Sequence, residues 1–141
     1  MKTIYLLLVC AMLGLVVAAT ASPSALKLIA NESVTASAVS VAEVQDAFLQ
    51  TAPNLGSGGR VVPVLEKGGP THEAFLKEYL KKTDVALLTY YRSLVFTGKG
   101  VMPKILDNDE EVVAFVAKTK GAVGYVSAGT PSPGTKTLQV K

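Results

Sequence analysis

The apolar positions of this chain follow two periods, one typical of strands and one typical of helices. Runs of β-forming residues predict strands at residues 26–30, 60–65, 122–126 and 137–140. Apolar residues three and four positions apart predict helices at residues 41–51, 71–80 and 85–96, and a fourth helix that follows Asp107 or Asn108 and ends at residues 118–121. Residues 31–40 are polar and predict a loop. The order β-α-β-α-α-α-β-β predicts an α/β domain with a small mixed sheet flanked by helices.

Capping residues place the starts of two of these helices. Ser40 precedes an apolar helical pattern and Glu43 stands three residues later, which is the spacing of a capping box. Thr83 and Asp84 are alternative caps for the helix at residues 85–96.

The stretch at residues 60–80 predicts a strand, a glycine-rich turn and a helix in succession. We expect Thr71 to cap the helix, so that the first-turn N–H groups face Gly68 and Gly69. A helix N-terminus reached through glycines can bind an anion, because its N–H groups are unpaired and glycine lets a ligand approach the backbone. Gly68, Gly69, Thr71 and His72 are therefore the predicted anion-binding residues. The alternative to a ligand contact is that His72 is a solvent-facing histidine at the helix start.

Positive charge near this turn could come from Arg92 and Lys99, which are otherwise interpreted as solvated side chains. The formal net charge of the whole chain is only +3, and its basic residues are scattered. A nucleic-acid partner is therefore not expected.

The first residues have the pattern of a secretory signal peptide. A short basic start is followed by an apolar run and by the small-residue pattern Ala-x-Ala at residues 19–21. We expect cleavage after residue 21, a single domain at residues 22–141, export to an oxidising compartment and no stable membrane anchor. The chain's single cysteine, Cys10, would leave with the signal peptide.

Catalytic and metal chemistry have little support in the sequence. The chain has one histidine, His72, and the domain at residues 22–141 has no cysteine, so neither a Cys–His pair nor a histidine-rich metal site can form. The acidic run at residues 107–111 lacks the spacing of a calcium loop, and two capping boxes explain it equally well. We expect no catalytic residues, no metal and no cofactor.

The second half of the chain resembles a known family. Residues 91–100 (YRSLVFTGKG), the segment 111–116 (EVVAFV) and residues 120–126 (KGAVGYV) are similar to small secreted phosphate-transport substrate-binding-like proteins of the type II periplasmic binding protein superfamily. The resemblance extends from about residue 26 to the C-terminus. It implies a single periplasmic-binding-protein-like lobe, a periplasmic location, phosphate or a similar oxyanion as ligand, and a membrane transporter or sensor as partner.

The family's anion-binding motif is only partly present. Phosphate binders of this type show an arginine shortly before a Ser-Gly-Thr helix start. With Phe75 aligned, Thr71 matches the threonine, while Gly69, Pro70 and Leu65 replace the serine, the glycine and the arginine. The resemblance therefore implies weak oxyanion binding, and the alternative is a ligand-free periplasmic adaptor that acts by protein–protein contact.

Overall fold

A computed structural model describes residues 25–52, 54–55 and 59–141. The predicted signal peptide, residues 1–21, lies outside the described residues. Within the described ranges, no helix has the length and apolar character needed to cross a membrane.

The domain has six strands and four α-helices in the described part of the chain. The strands are β1 (Leu26–Asn31), β2 (Ala38–Val39), β3 (Val62–Glu66), β4 (Lys104–Leu106), β5 (Ala122–Ser127) and β6 (Thr135–Val140). The helices are α1 (Val41–Leu49), α2 (Pro70–Phe75), α3 (Asp84–Phe96) and α4 (Asp109–Lys118), and α2 continues as a π-helical segment, Leu76–Leu80.

The strands form one mixed sheet in the order β2-β6-β1-β5-β3-β4. β1 is antiparallel to both β5 and β6, whereas β3 is parallel to β4 and β5. The carboxyl ends of β3, β4 and β5 therefore meet at one edge of the sheet. The prediction of an α/β fold with a mixed sheet flanked by helices is confirmed.

Alternate side chains of the strands enter two apolar cores, because successive residues of a strand point to opposite faces. Leu28 and Leu65 belong to the larger core, which also contains Phe48 of α1 and Tyr91 of α3. The smaller core lies against α4 and contains Ile29, Val64, Val112 and Val116. Gly124 of β5 lets α4 approach closely, since a Cβ there would lie 2.9 Å from Val112 and 2.8 Å from Val64.

The predicted cap at Ser40 is confirmed, and of the alternatives for two later helices the caps are Thr83 rather than Asp84 and Asn108 rather than Asp107. Ser40 accepts from the N–H of Glu43, and the Glu43 carboxylate accepts from the N–H of Ser40. Thr83 and Asn108 accept from N–H groups in the first turns of α3 and α4.

The expected cap at Thr71 is wrong. The N-cap of α2 is Gly69, and no side chain caps this helix. Pro70 occupies the first helical position, where its fixed φ suits a helix and its missing N–H costs nothing. Thr71 is consequently the second residue of the helix and not its cap.

Two short strands were not predicted. β2 lies within the segment expected to be a loop, and β4 follows Pro103. Two or three residues are too few to show the alternation that identifies a strand. Both form because a neighbouring strand supplies partners, β6 for β2 and β3 for β4.

Candidate functional site

The turn at residues 68–72 lies where β3 ends and α2 begins. The intrahelical hydrogen bonds start with the N–H of Glu73, which donates to the carbonyl of Gly69 at 3.0 Å. The N–H groups of Thr71 and His72 precede this bond and are unpaired within the helix. A Cβ added at Gly68 or Gly69 would have no atom within 4 Å, so the space over the turn is open.

Gly69 has a backbone conformation that requires glycine. Its φ is 93° and its ψ is 176°, in a region populated essentially by glycine alone. Of the two glycines, only Gly69 is required by the backbone conformation of the turn. Gly68 has no such conformational requirement.

Thr71 ties the turn to the end of β5. Its Oγ1 lies 2.8 Å from Oγ of Ser127, the last residue of that strand. The Ser127 N–H donates in turn to Oδ2 of Asp109, at the start of α4, over 3.0 Å. Hydrogen bonds therefore connect the starts of α2 and α4 to the end of β5, at the carboxyl edge of the sheet.

His72 is buried, and the expectation of a solvent-facing side chain is wrong. Only 3% of its surface is exposed. Its Nδ1 lies 2.6 Å from the Tyr125 hydroxyl, and its Nε2 lies 3.0 Å from Oδ1 of Asp84. The Tyr125 hydroxyl also accepts from the N–H of Glu66 at 2.9 Å. The arrangement that satisfies these contacts has Tyr125 donating to Nδ1 and the Nε2–H of His72 donating to Asp84.

Buried Glu66 and half-buried Asp109 form a second polar contact behind the turn. Burial, together with the neighbouring Asp109 carboxylate, raises the pKa of Glu66 from 4.5 to about 8. Burial alone would raise the pKa of Asp109, but hydrogen bonds from Glu66, Thr130 and Ser127 lower it. The raised pKa favours the protonated form of Glu66 near neutral pH, in which its carboxyl can donate to the Asp109 carboxylate.

Glu66 also carries an unsatisfied acceptor. Its Oε1 is buried and has no hydrogen-bond partner among the described residues. Leaving such an atom unpaired costs about 1–3 kcal/mol.

A cavity of about 630 Å³ opens beside the turn and runs along α2. Its lining includes Gly68, Gly69 and His72. The charged residues around it are Lys77, Lys81, Lys82, Glu73 and Asp84. Arg92 and Lys99, the two cations considered from the sequence, do not line this cavity.

The position that corresponds to the family's arginine holds no cation. Leu65 is 2% exposed and packs in the larger core, which also contains Tyr125. Glu66, the next residue, occupies the opposite face of β3.

Sequence reasoning missed several residues of this site. Glu66 and Ser127 are the last residues of β3 and β5, and the parallel arrangement of these strands brings their carboxyl ends together. Their positions at strand ends could therefore have identified them as candidate site residues. Tyr125, Asp84 and Asp109 reach the site only through tertiary packing, which no local pattern reveals.

Three solved structures have a fold similar to that of this chain, and two of them are described as phosphate-transport proteins. A structure from Clostridium perfringens, described as a phosphate ABC-transporter substrate-binding protein with bound phosphate, matches with a TM-score of 0.63 and 17% identity over 82% of this chain and 44% of that chain. An ABC-type phosphate transport receptor from Vibrio cholerae matches with a TM-score of 0.59 and 15% identity over 82% of this chain and 46% of that one. PstS from Borrelia burgdorferi matches with a TM-score of 0.63 and 12% identity over 83% of this chain and 47% of that one.

These similarities define the class of fold. The chain has a periplasmic-binding-protein-like α/β fold and spans less than half the length of the structures it matches. No protein-family model and no curated protein matches it.

Proposed function

We propose that this chain is an exported solute-binding domain that binds a phosphate-type oxyanion weakly at Gly68, Gly69, Thr71 and His72. The observation that carries this proposal is the open turn, with unpaired N–H groups, at the carboxyl edge of parallel strands. Open α/β sheets commonly bind ligands at that edge. The similar fold of a structure with bound phosphate supports the same ligand class.

Three features make the binding weak. Pro70 supplies no N–H to the turn, and Leu65 supplies no guanidinium. The Asp109 carboxylate reaches the turn through Ser127 and Thr71, where its negative charge opposes an anion. The ligand is held mainly by backbone N–H groups and by the lysines around the cavity.

The role of His72 is to position the turn. Its two ring nitrogens are engaged by Tyr125 and Asp84, so the ring is fixed at the start of α2. A histidine held in this way is suited to shaping a binding site, and we propose a binding function without catalysis.

Export and a transporter partner belong to the same proposal. The signal-peptide pattern at residues 1–21 supports a periplasmic location. The phosphate-transport structures with this fold support a membrane transporter or sensor as partner.

Calorimetric titration of the purified protein with phosphate and with sulfate tests the binding function. We expect a saturable heat at millimolar concentrations, and we expect Gly68→Val to abolish it by covering the open N–H groups. Gly59→Val is the matched control, because Gly59 also has open space over its Cα and precedes β3, at the opposite end of that strand from the turn. Absence of heat at millimolar phosphate and sulfate would remove the binding function.

Protein–protein contact without a ligand is the second candidate function. Phe96 at the end of α3 is 93% exposed and its neighbour Val95 is 49% exposed. Adjacent exposed apolar side chains of this kind can form part of a protein–protein contact. In a pull-down from a periplasmic extract, an adaptor would retain a partner protein. Phe96→Ser should abolish this retention. Val85→Ser, a change at another exposed apolar position of α3, is the control and should leave the retention intact. Retention of no partner, beside clear phosphate binding, would exclude this function.

A further inference from the structure

A second recess lies at the opposite end of the parallel strands from the glycine turn. It has a volume of about 270 Å³ and is formed by the amino-terminal ends of β3 and β4 and by the segment that joins α3 to β4. Its lining includes Arg60, Lys99 and Lys104. None of its lining residues is shared with the cavity at Gly68 and Gly69.

The recess has an uncompensated positive charge. Its three cations come from different elements, and no aspartate or glutamate lines it. In the part of the chain that the structure describes, none of these three cations forms a salt bridge with a carboxylate. The remaining residues, 1–24, 53 and 56–58, contain no aspartate or glutamate. A concave surface lined by charges of one sign raises the local concentration of the opposite charge.

The walls of the recess are held in place by hydrogen bonds. The side-chain amide of Gln50 donates to the carbonyl of Val101 at 2.7 Å and accepts from the Val101 N–H at 3.0 Å. The Lys99 N–H donates to the carbonyl of Leu94 at 2.8 Å. Lys104 lies in register with Val64 in the β3–β4 pair. A site whose backbone is already ordered loses little entropy when a ligand binds.

Apolar side chains adjoin the three cations. Val62 is 41% exposed, Val101 is 65% exposed and Met102 is 41% exposed, and all three line the recess. A purely inorganic anion would leave this apolar surface in water. The volume is just below the range typical of drug-sized ligands, so the occupant is small.

We infer that this recess is a binding site for a small organic anion, with a phosphate or carboxylate group held by Arg60, Lys99 and Lys104 and a short apolar body packed on Val62, Val101 and Met102. The site is independent of the proposed function, because it uses other residues at the other end of the sheet. Its selectivity comes from combining charge with apolar contact.

Titration of the isotope-labelled protein with hexyl phosphate, inorganic phosphate and hexanol, followed by NMR, tests this inference. We expect hexyl phosphate to shift the backbone amide resonances of Val62, Val101 and Met102 in a saturable way. Inorganic phosphate should bind there more weakly by about tenfold or more, because it lacks the apolar contact. Hexanol should cause no saturable shift at these residues.

Charge variants identify the residues responsible. The double variant Arg60→Gln/Lys104→Gln should weaken hexyl phosphate binding by about tenfold or more. The double variant Lys118→Gln/Lys136→Gln removes the same charge from α4 and β6 and should keep the affinity within about twofold. Gly68→Val should also leave hexyl phosphate binding at the recess unchanged.

Several results would overturn the inference. One is an affinity for hexyl phosphate that Arg60→Gln/Lys104→Gln leaves unchanged. A hexanol response equal to that of hexyl phosphate would show that charge plays no part, and equal affinities for hexyl phosphate and inorganic phosphate would show that the apolar side chains play none. Saturable shifts confined to residues outside the recess would locate the ligand elsewhere.

Discussion

At the scale of single residues, a chain of buried polar contacts fixes the candidate site. It runs from the N–H of Glu66 through the Tyr125 hydroxyl and the His72 ring to Asp84. Tyr125 also stacks on Phe75, with ring centroids 3.9 Å apart and planes 10° apart. One tyrosine thus joins the end of β3 to α2, with its hydroxyl on Glu66 and His72 and its ring on Phe75 at the end of that helix.

Removing the Tyr125 hydroxyl should destabilise the protein. Tyr125→Phe keeps the ring contacts but leaves the N–H of Glu66 and Nδ1 of His72 without a partner, so we expect a loss of about 1–3 kcal/mol in the free energy of unfolding. Urea denaturation measures it. Tyr79→Phe is the control, since the Tyr79 hydroxyl has no hydrogen-bond partner among the described residues, and it should cost less than about 1 kcal/mol. Equal effects of the two variants would contradict the described network.

The Glu66 carboxyl should make stability depend on pH. Its pKa in the folded protein is about 8, above the ordinary value of 4.5, so the folded state binds the proton more tightly than the unfolded state does. The resulting stabilisation is fully present below about pH 4.5 and is lost progressively as the pH rises to about 8. Each pKa unit of the difference corresponds to about 1.4 kcal/mol.

Glu66→Gln should remove this dependence. The glutamine amide can donate to Asp109 as the protonated acid does, but it does not titrate. Denaturation at a series of pH values should show a declining free energy of unfolding for the unmodified protein and a nearly constant one for the variant between about pH 5 and 8. Parallel profiles for the two proteins would contradict the assigned protonation.

At the scale of elements, the two glycines before α2 should respond differently to substitution. Gly69→Ala forces a side chain into a conformation reserved for glycine and should cost about 1–3 kcal/mol. Gly68→Ala meets open space without a positive φ and should change stability by less than about 1 kcal/mol. Thermal unfolding of both variants checks this prediction, and an equal loss of stability in the two would show that the turn has another conformation.

The element scale also shows how far sequence can predict this fold. Local sequence patterns predict the capping box at Ser40 and the buried strand β5. The capping box has a fixed residue spacing, and β5 is a continuous apolar run. β2 and β4 depend on partners distant in the chain and carry no such pattern. The turn of the candidate site was locatable from its glycines, whereas the burial of His72 depends on Tyr125 and Asp84, which lie 53 and 12 residues away.

At the scale of the whole molecule, one sheet presents two separate candidate sites. The glycine turn lies at the carboxyl ends of β3 and β5, and the cationic recess lies at the amino-terminal ends of β3 and β4. The chain spans 44–47% of the three solved structures with a similar fold, and the space over its glycine turn is open. Water at an open site weakens each charge–charge contact, which agrees with the weak binding proposed here.

A crystal soaked in phosphate tests the central proposal most directly. We predict electron density for the ion beside the turn, with phosphate oxygens about 2.7–3.2 Å from the N–H nitrogens of Thr71 and His72. A well-ordered structure with no ion at this turn, or with phosphate only beside Arg60, Lys99 and Lys104, would contradict it.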